Sequence, residues 1–166
     1  MTQNDIQHLI LQLRTEDPVI RQSAREQLVA RGGADVVRAL VAETVSLDQQ
    51  TRWEAAKALA TIADPVAAPA LMHALDDDDR DVQWVAGQGL VAMKGEGLSV
   101  VLSGLIRRAT SLDFCKAAHH VLHDLRERGF DTDVVTPVLD ALDSPEPQVT
   151  APPAALAALQ KLNENQ

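Results

Sequence analysis

One short pattern recurs along the chain at a nearly fixed interval: a polar residue, two spacers, alanine, three spacers and leucine. It is met as Arg21 with Ala24 and Leu28, Arg52 with Ala55 and Leu59, Gln83 with Ala86 and Leu90, and Cys115 with Ala118 and Leu122. The last two leucine intervals are 31 and 32 residues. Spacings of three and four residues belong to one face of a helix, and a period near 30 belongs to stacked supersecondary units. The stretch RWEAAKALATIADPVAAPALMHAL, residues 52–75, shows why stacking is required. A helix this poor in bulky side chains cannot hold a core alone, but small residues let helix axes approach closely when neighbouring units supply the rest of the interior.

The second half of each unit repeats too. Leu40, Leu71 and Leu102 each follow the first-helix leucine by 12 residues, and Leu139 follows after the longer corner RERGFDTD. The corners GGAD, ADP, KGEG and RGFDTD carry the residues that end one helix and begin another, with Gly expected in the left-handed conformation and Asp as the next cap. SLDQQ, DDDDRD, TSLD and DSPEP separate the pairs and offer Asp or Ser to the free amides of the following helix. These signals divide residues 1–166 into a capping helix at 4–15, repeats at 17–47, 48–78, 79–110 and 111–143, and a C-terminal helix at 150–163. Pro152 and Pro153 are expected in the first turn of that last helix, where a missing amide costs nothing.

At 166 residues the chain suits one domain or one short array. Hydrophobic residues make up 46% of it but aromatic ones only 2%, so its apolar volume comes from Ala, Leu and Val. The net charge of -9 opposes phosphate backbones and anionic lipid, so neither nucleic acid nor membrane is an expected partner. A single cysteine excludes an internal disulfide and fits a reducing compartment, with cytoplasm the expectation. No basic start with a long apolar run opens the sequence, and no apolar run is long enough to span a bilayer.

The stretches TRWEAAKALATIADPVAAPALMHALDD and DRDVQWVAGQGLVAM resemble HEAT repeats, specifically the short bacterial type named after phycobilisome lyases. The resemblance runs over about residues 17–143 and weakens in the fourth unit, where Cys115 replaces the usual arginine and the corner is lengthened. It implies an all-α, right-handed superhelix of antiparallel pairs, with second helices lining a concave face that holds another protein. It does not imply lyase chemistry, because a fold does not fix a function.

Three groups of residues stand out. Cys115, His119 and His123 follow one another at four-residue steps in FCKAAHHVLHD, a spacing at which soft and imidazole ligands can share a zinc or another late transition metal. A helical wheel puts them at the shoulder and outside of the buried stripe, within reach of solvent, but a closed site lacks a fourth ligand. Trp53 and Trp84 share a register in consecutive units and point away from their alanines, where exposed tryptophans would anchor a partner or cover a neighbouring corner. The second helices should present Arg38, Ala42 and Val45, then Pro69, Met72, His73 and Asp76, then Ser103, Gly104 and Arg107, then Pro137 and Asp140 to the concave side. That row reads as a shallow apolar trough with a polar rim. The run Asp76–Asp79 with Asp81 lacks the alternating spacing, glycine and terminal glutamate of a calcium loop.

No glycine-rich phosphate loop, Gly-x-Ser-x-Gly elbow or His-Glu-x-x-His pair occurs. The sequence therefore points to a non-catalytic adaptor without a cofactor, binding another protein through Arg38, Met72, His73, Ser103 and Arg107, with Trp53 and Trp84 on the outer side. Two readings from other classes stay open: a bilin-lyase-like enzyme or lyase subunit, and a metal-responsive regulator built on Cys115, His119 and His123.

Overall fold

The computed structural model describes residues 3–164. Among them the regular structure is all helical: α1 (Gln3–Leu13), α2 (Pro18–Arg31), α3 (Ala34–Glu43), α4 (Gln49–Ile62), a 3-10 turn (Pro65–Ala67) leading into α5 (Ala68–Ala74), α6 (Arg80–Ala92), α7 (Gly95–Arg108), α8 (Leu112–Glu127), α9 (Thr132–Leu142) and α10 (Pro147–Glu164). The first helices of the units pack in succession, α2 on α4, α4 on α6 and α6 on α8, with no comparable packing between non-neighbours in that row. Leu28, Leu59, Leu90 and Leu122 are completely buried and so progress along an axis instead of meeting at one centre. This is an open α-solenoid, whose interior each unit shares with its neighbours.

Each first helix begins the same way. Asp17, Asp48, Asp79 and Ser111 accept hydrogen bonds from amides in the first turn, satisfying donors that a helix start leaves free. Four residues on, the polar position of the repeat donates to the carbonyl six residues before it: Arg21 to Thr15, Arg52 to Ser46, Gln83 to Asp77 and Cys115 to Ala109. Four different side chains thus tie each first helix to the turn behind it. What the position requires is a donor of the right reach, and this explains how glutamine and cysteine stand where two arginines do.

The arginines also fasten one unit to the next. Glu54, almost fully buried, is paired with both Arg21 and Arg25 of α2, and Arg52 grips Asp77 and Asp78 ahead of α6. Arg14 closes the N-terminal end on Glu43 through two hydrogen bonds of 3.0 and 2.7 Å.

The alanine positions are buried as the periodicity requires: Ala24, Ala55, Ala86 and Ala118 expose no surface. Replacing Ala55 with Phe is expected to force the α4 seam apart and cost about 1–3 kcal/mol, read as a lower thermal midpoint. An unchanged midpoint would place Ala55 outside the interior. Glycine takes the same logic further at Gly89, where an added Cβ would lie 2.7 Å from Leu71 and 3.0 Å from the backbone of Ala60.

The corners follow the sequence only in part. Gly32 does close α2 with φ of 58°, but the left-handed residue after α4 is Ala63, and Lys94 and Asp131 hold positive φ where glycine or a capping side chain was expected. Asp64 caps the 3-10 turn through Val66, whereas Asp35 and Asp131 make no such bond for α3 and α9. The last helix also differs from expectation. It starts at Pro147, so Pro152 and Pro153 lie in its second turn and not its first. The carbonyls they leave without an amide partner belong to Gln148 and Val149, both exposed to water, which keeps the cost low.

The larger departure is where α10 goes. A further first helix would extend the row beyond α8, but α10 packs along both α7 and α9 and touches α8 only marginally. Its small residues Ala151, Ala155 and Ala158 are buried, and the Thr150 hydroxyl donates to the Ala141 carbonyl. α7 and α9 have almost no contact with each other. The long corner of unit four, whose Phe130 packs beside Gly95, leads into an α9 set apart from α7, and the end of the chain joins the two.

Candidate functional site

Residues on the outer side of α6 and α8 enclose a groove of about 540 Å³. α6 contributes Arg80, Gln83, Trp84, Gly87, Gln88 and Val91; α8 contributes Asp113, Lys116, Ala117, His120, Val121 and Asp124. Within each helix these positions recur at three- and four-residue steps, so each wall is one face of a helix. Gly87, Val91, Ala117 and Val121 are buried and form an apolar floor, while charged and amide groups stand along the rims. The gap arises from side-chain size. At Gly87 even a Cβ would come within 3.3 Å of Val121, so glycine sets the floor at the height of the helix backbone.

The rim is internally paired but not closed. Gln88 donates to Asp124 across the groove at 3.4 Å, and Lys116 lies 3.7 Å from Asp113 along α8. Trp84 forms a wall near the N-terminal end and is 63% exposed, unusual for so large an apolar ring.

The contrast with Trp53, one unit earlier, has a physical cause. Trp53 is half-buried, and the guanidinium of Arg25 lies over its ring, 5.5 Å from the centroid. Arg25 follows Ala24 in its unit, as Ala56 follows Ala55 in the next. The register that places arginine beside Trp53 therefore places only a methyl group beside Trp84. Of the two tryptophans expected on the outer side to anchor a partner or cover a neighbouring corner, Trp84 is displayed and Trp53 is half-buried beneath Arg25.

The second-helix residues are distributed as follows. Arg38, His73 and Arg107 are exposed, and Met72 and Ser103 are half-buried. Gly104 does not line an open trough, because a Cβ there would fall 2.5 Å from the Phe114 ring and 3.0 Å from the Met72 sulfur. The far part of this layer, along α7 and α9, is occupied by α10.

The stripe on α8 does not converge. Cys115 is buried and donates to the Ala109 carbonyl at 3.4 Å. Burial, with the Asp76 carboxylate adding to it, pushes the Cys115 thiol up from its ordinary range. His119 and His123 stack with ring centroids 6.2 Å apart, and His119 Nε2 reaches Asp143 at 3.1 Å. Among the described residues no three His, Cys, Asp or Glu side chains are grouped as metal ligands. The wheel erred at Cys115 because that position follows the inward-turned arginines of earlier units. His120, which lines the groove, was not singled out from sequence; nor was Gly87, whose only signal was the fall in size from Arg25 through Ala56 to Gly87 at one repeat position.

An open stack of helix pairs with a groove between first helices defines a repeat protein of the α-solenoid class. A family model described as HEAT repeats matches residues 6–91, a little over half of the sequence. The chain belongs to the HEAT-repeat family. The matched segment ends at Val91, so the α8 side of the groove lies beyond it. A solved crystal structure of an engineered protein is similar, at 24% identity and a TM-score of 0.44 over 94% of this chain and 79% of that one. No curated protein matches the chain.

Proposed function

We propose that this chain is a protein-interaction scaffold that docks another protein on the groove between α6 and α8. The observation that carries the reading is the displayed Trp84 beside a 540 Å³ depression with an apolar floor and hydrogen-bonding rims. Exposed tryptophans concentrate binding energy when a partner removes them from water, and polar groups around them fix orientation. The net charge of -9 disfavours nucleic acid and anionic membrane in this role. Among the described residues no helix is long and apolar enough to cross a membrane. The Cys115 thiol, turned inward onto the Ala109 carbonyl, argues against its use as a metal ligand or attachment point.

A second docking face has one observation in its favour. The chain's own α10 packs against the second helices α7 and α9, which supports docking of a helix on this layer, and Arg38, Met72, His73, Ser103 and Arg107 belong to helices of the same layer.

Affinity capture from the native cell separates these faces. With Trp84→Ala, recovery of the partner should fall about tenfold or more, the loss of one central aromatic anchor. Met72→Asp should leave it unchanged. Loss with Met72→Asp alone would move docking to the second-helix layer, and identical partner lists from both variants and the parent would remove both faces from consideration.

A further inference from the structure

We propose that the Trp84 ring is a seat for arginine, and that the docked partner is a basic helical segment of another protein whose guanidinium covers that ring. This deepens the groove reading and rests on it. The chain itself supplies the precedent. In the preceding interface the same repeat position is a tryptophan, and the side chain that covers it is an arginine, Arg25, held at its other side by Glu54. At Trp84 the corresponding neighbour is Ala56, and the ring is left open. Arg80 and Lys116 line the groove, but no described cation lies over Trp84.

The charge around the ring matches such a partner. Asp81, one turn before Trp84 on α6, is exposed, and its carboxylate has no partner among the described residues. It can take the part that Glu54 takes for Arg25. The carboxylates Asp76 to Asp79 of the turn leading into α6 are already engaged, Asp77 and Asp78 by Arg52, Asp76 by Arg108 and Asp79 as the cap of α6, so beyond Asp81 it is the net charge of -9 that favours a basic partner. A guanidinium over an indole face is attracted by the ring quadrupole, and arginine is preferred to lysine because its plane stacks while its edge still donates to a carboxylate.

The probe is the chain's own arginine-bearing helix as a peptide, residues 18–31 with blocked ends, and the control is the same peptide with Arg21→Gln, Arg25→Gln and Arg31→Gln. The full protein is grown with 5-fluorotryptophan, so that its two tryptophans give two fluorine resonances, assigned with Trp84→Phe. The arginine peptide should shift the Trp84 resonance saturably and leave Trp53 in place, with half-saturation about fivefold or more tighter than the glutamine peptide. No saturable shift, equal shifts at both tryptophans, or equal half-saturation for the two peptides would overturn the arginine seat. If partner capture depends on Trp84 while any of these three negative results is found, docking stands and only the arginine falls.

Discussion

Gly97→Ala is expected to cost about 3–5 kcal/mol of folding stability and to lower the thermal midpoint by roughly 10 °C, the largest effect of a methyl group added at any of the glycines. A Cβ at Gly97 would lie 1.9 Å from the carbonyl oxygen of Leu90 and 2.7 Å from its carbon. Both are backbone atoms, so no flexible side chain can yield. α6 and α7 meet at this point around the corner at Lys94, itself held at φ of 52°. Relief would require α7 to withdraw, and with it the buried Leu98, Val101, Leu102 and Leu105. Overpacking commonly costs about 1–3 kcal/mol where side chains can adjust; a contact against fixed backbone belongs above that range. Scanning calorimetry of the variant checks this, with Gly129→Ala as the comparison. Nothing lies within 4 Å of a Cβ at Gly129, and only its φ of 73° opposes a side chain, so about 1 kcal/mol is expected there. A Gly97→Ala protein that melts with the parent would show that the corner of unit three is not built on backbone contact.

Arg52→Ala should cost about 2–4 kcal/mol and change how stability responds to acid. The guanidinium donates to Asp77 at 2.8 and 2.9 Å, to Asp78 at 2.6 Å and to the Ser46 carbonyl at 3.1 Å. Its removal leaves the Asp77 carboxylate, only 8% exposed, without its counter-ion. Burial alone would push the Asp77 carboxyl up. The hydrogen bonds from Arg52, the amide of Asp79 and the Arg52 charge outweigh it and hold the group below its ordinary 3.8. Asp48 is held down in the same direction by the hydroxyl and amide of Thr51. The unfolded chain therefore takes up these protons at a higher pH than the folded one does. Their stabilisation is complete above the ordinary carboxylate range and is lost as pH falls through the folded values. In the variant only the Asp79 amide and the Asp78 side chain still oppose burial at Asp77, so its part of the acid-dependent loss should shrink, while that of Asp48, held mainly by Thr51, largely remains. Urea unfolding between pH 3 and 7 measures both, and parallel pH curves for parent and variant would show that Arg52 does not govern Asp77.

The elements were legible because their signals are local. An Asp or Ser before a helix caps amides two or three residues away, and alanine and leucine at three- and four-residue steps mark one buried face whatever lies beyond it. Hence Asp17, Asp48, Asp79 and Ser111 do what their positions suggest, and the four repeat leucines are interior. The site was legible only at Trp84. Its exposure depends on whether the facing helix offers Arg25 or Ala56, and the groove beneath it depends on how Gly87 meets Val121 across two units. Cys115 was misplaced on the wheel for a related reason, since the pull inward comes from a carbonyl six residues back and not from the hydrophobicity of its own face.

The sequence by itself determined that this protein is a row of helix pairs too slight to stand singly, because periodicity and capping are written in residues a few positions apart. The tertiary structure alone decided which surfaces stay free. Only when helices from distant parts of the chain are brought together does it emerge that α10 takes a place against α7 and α9, that Arg25 covers one tryptophan, and that the other is left open beside a groove. These outcomes turn on the reach of one side chain toward another helix, a quantity that a repeat pattern does not contain.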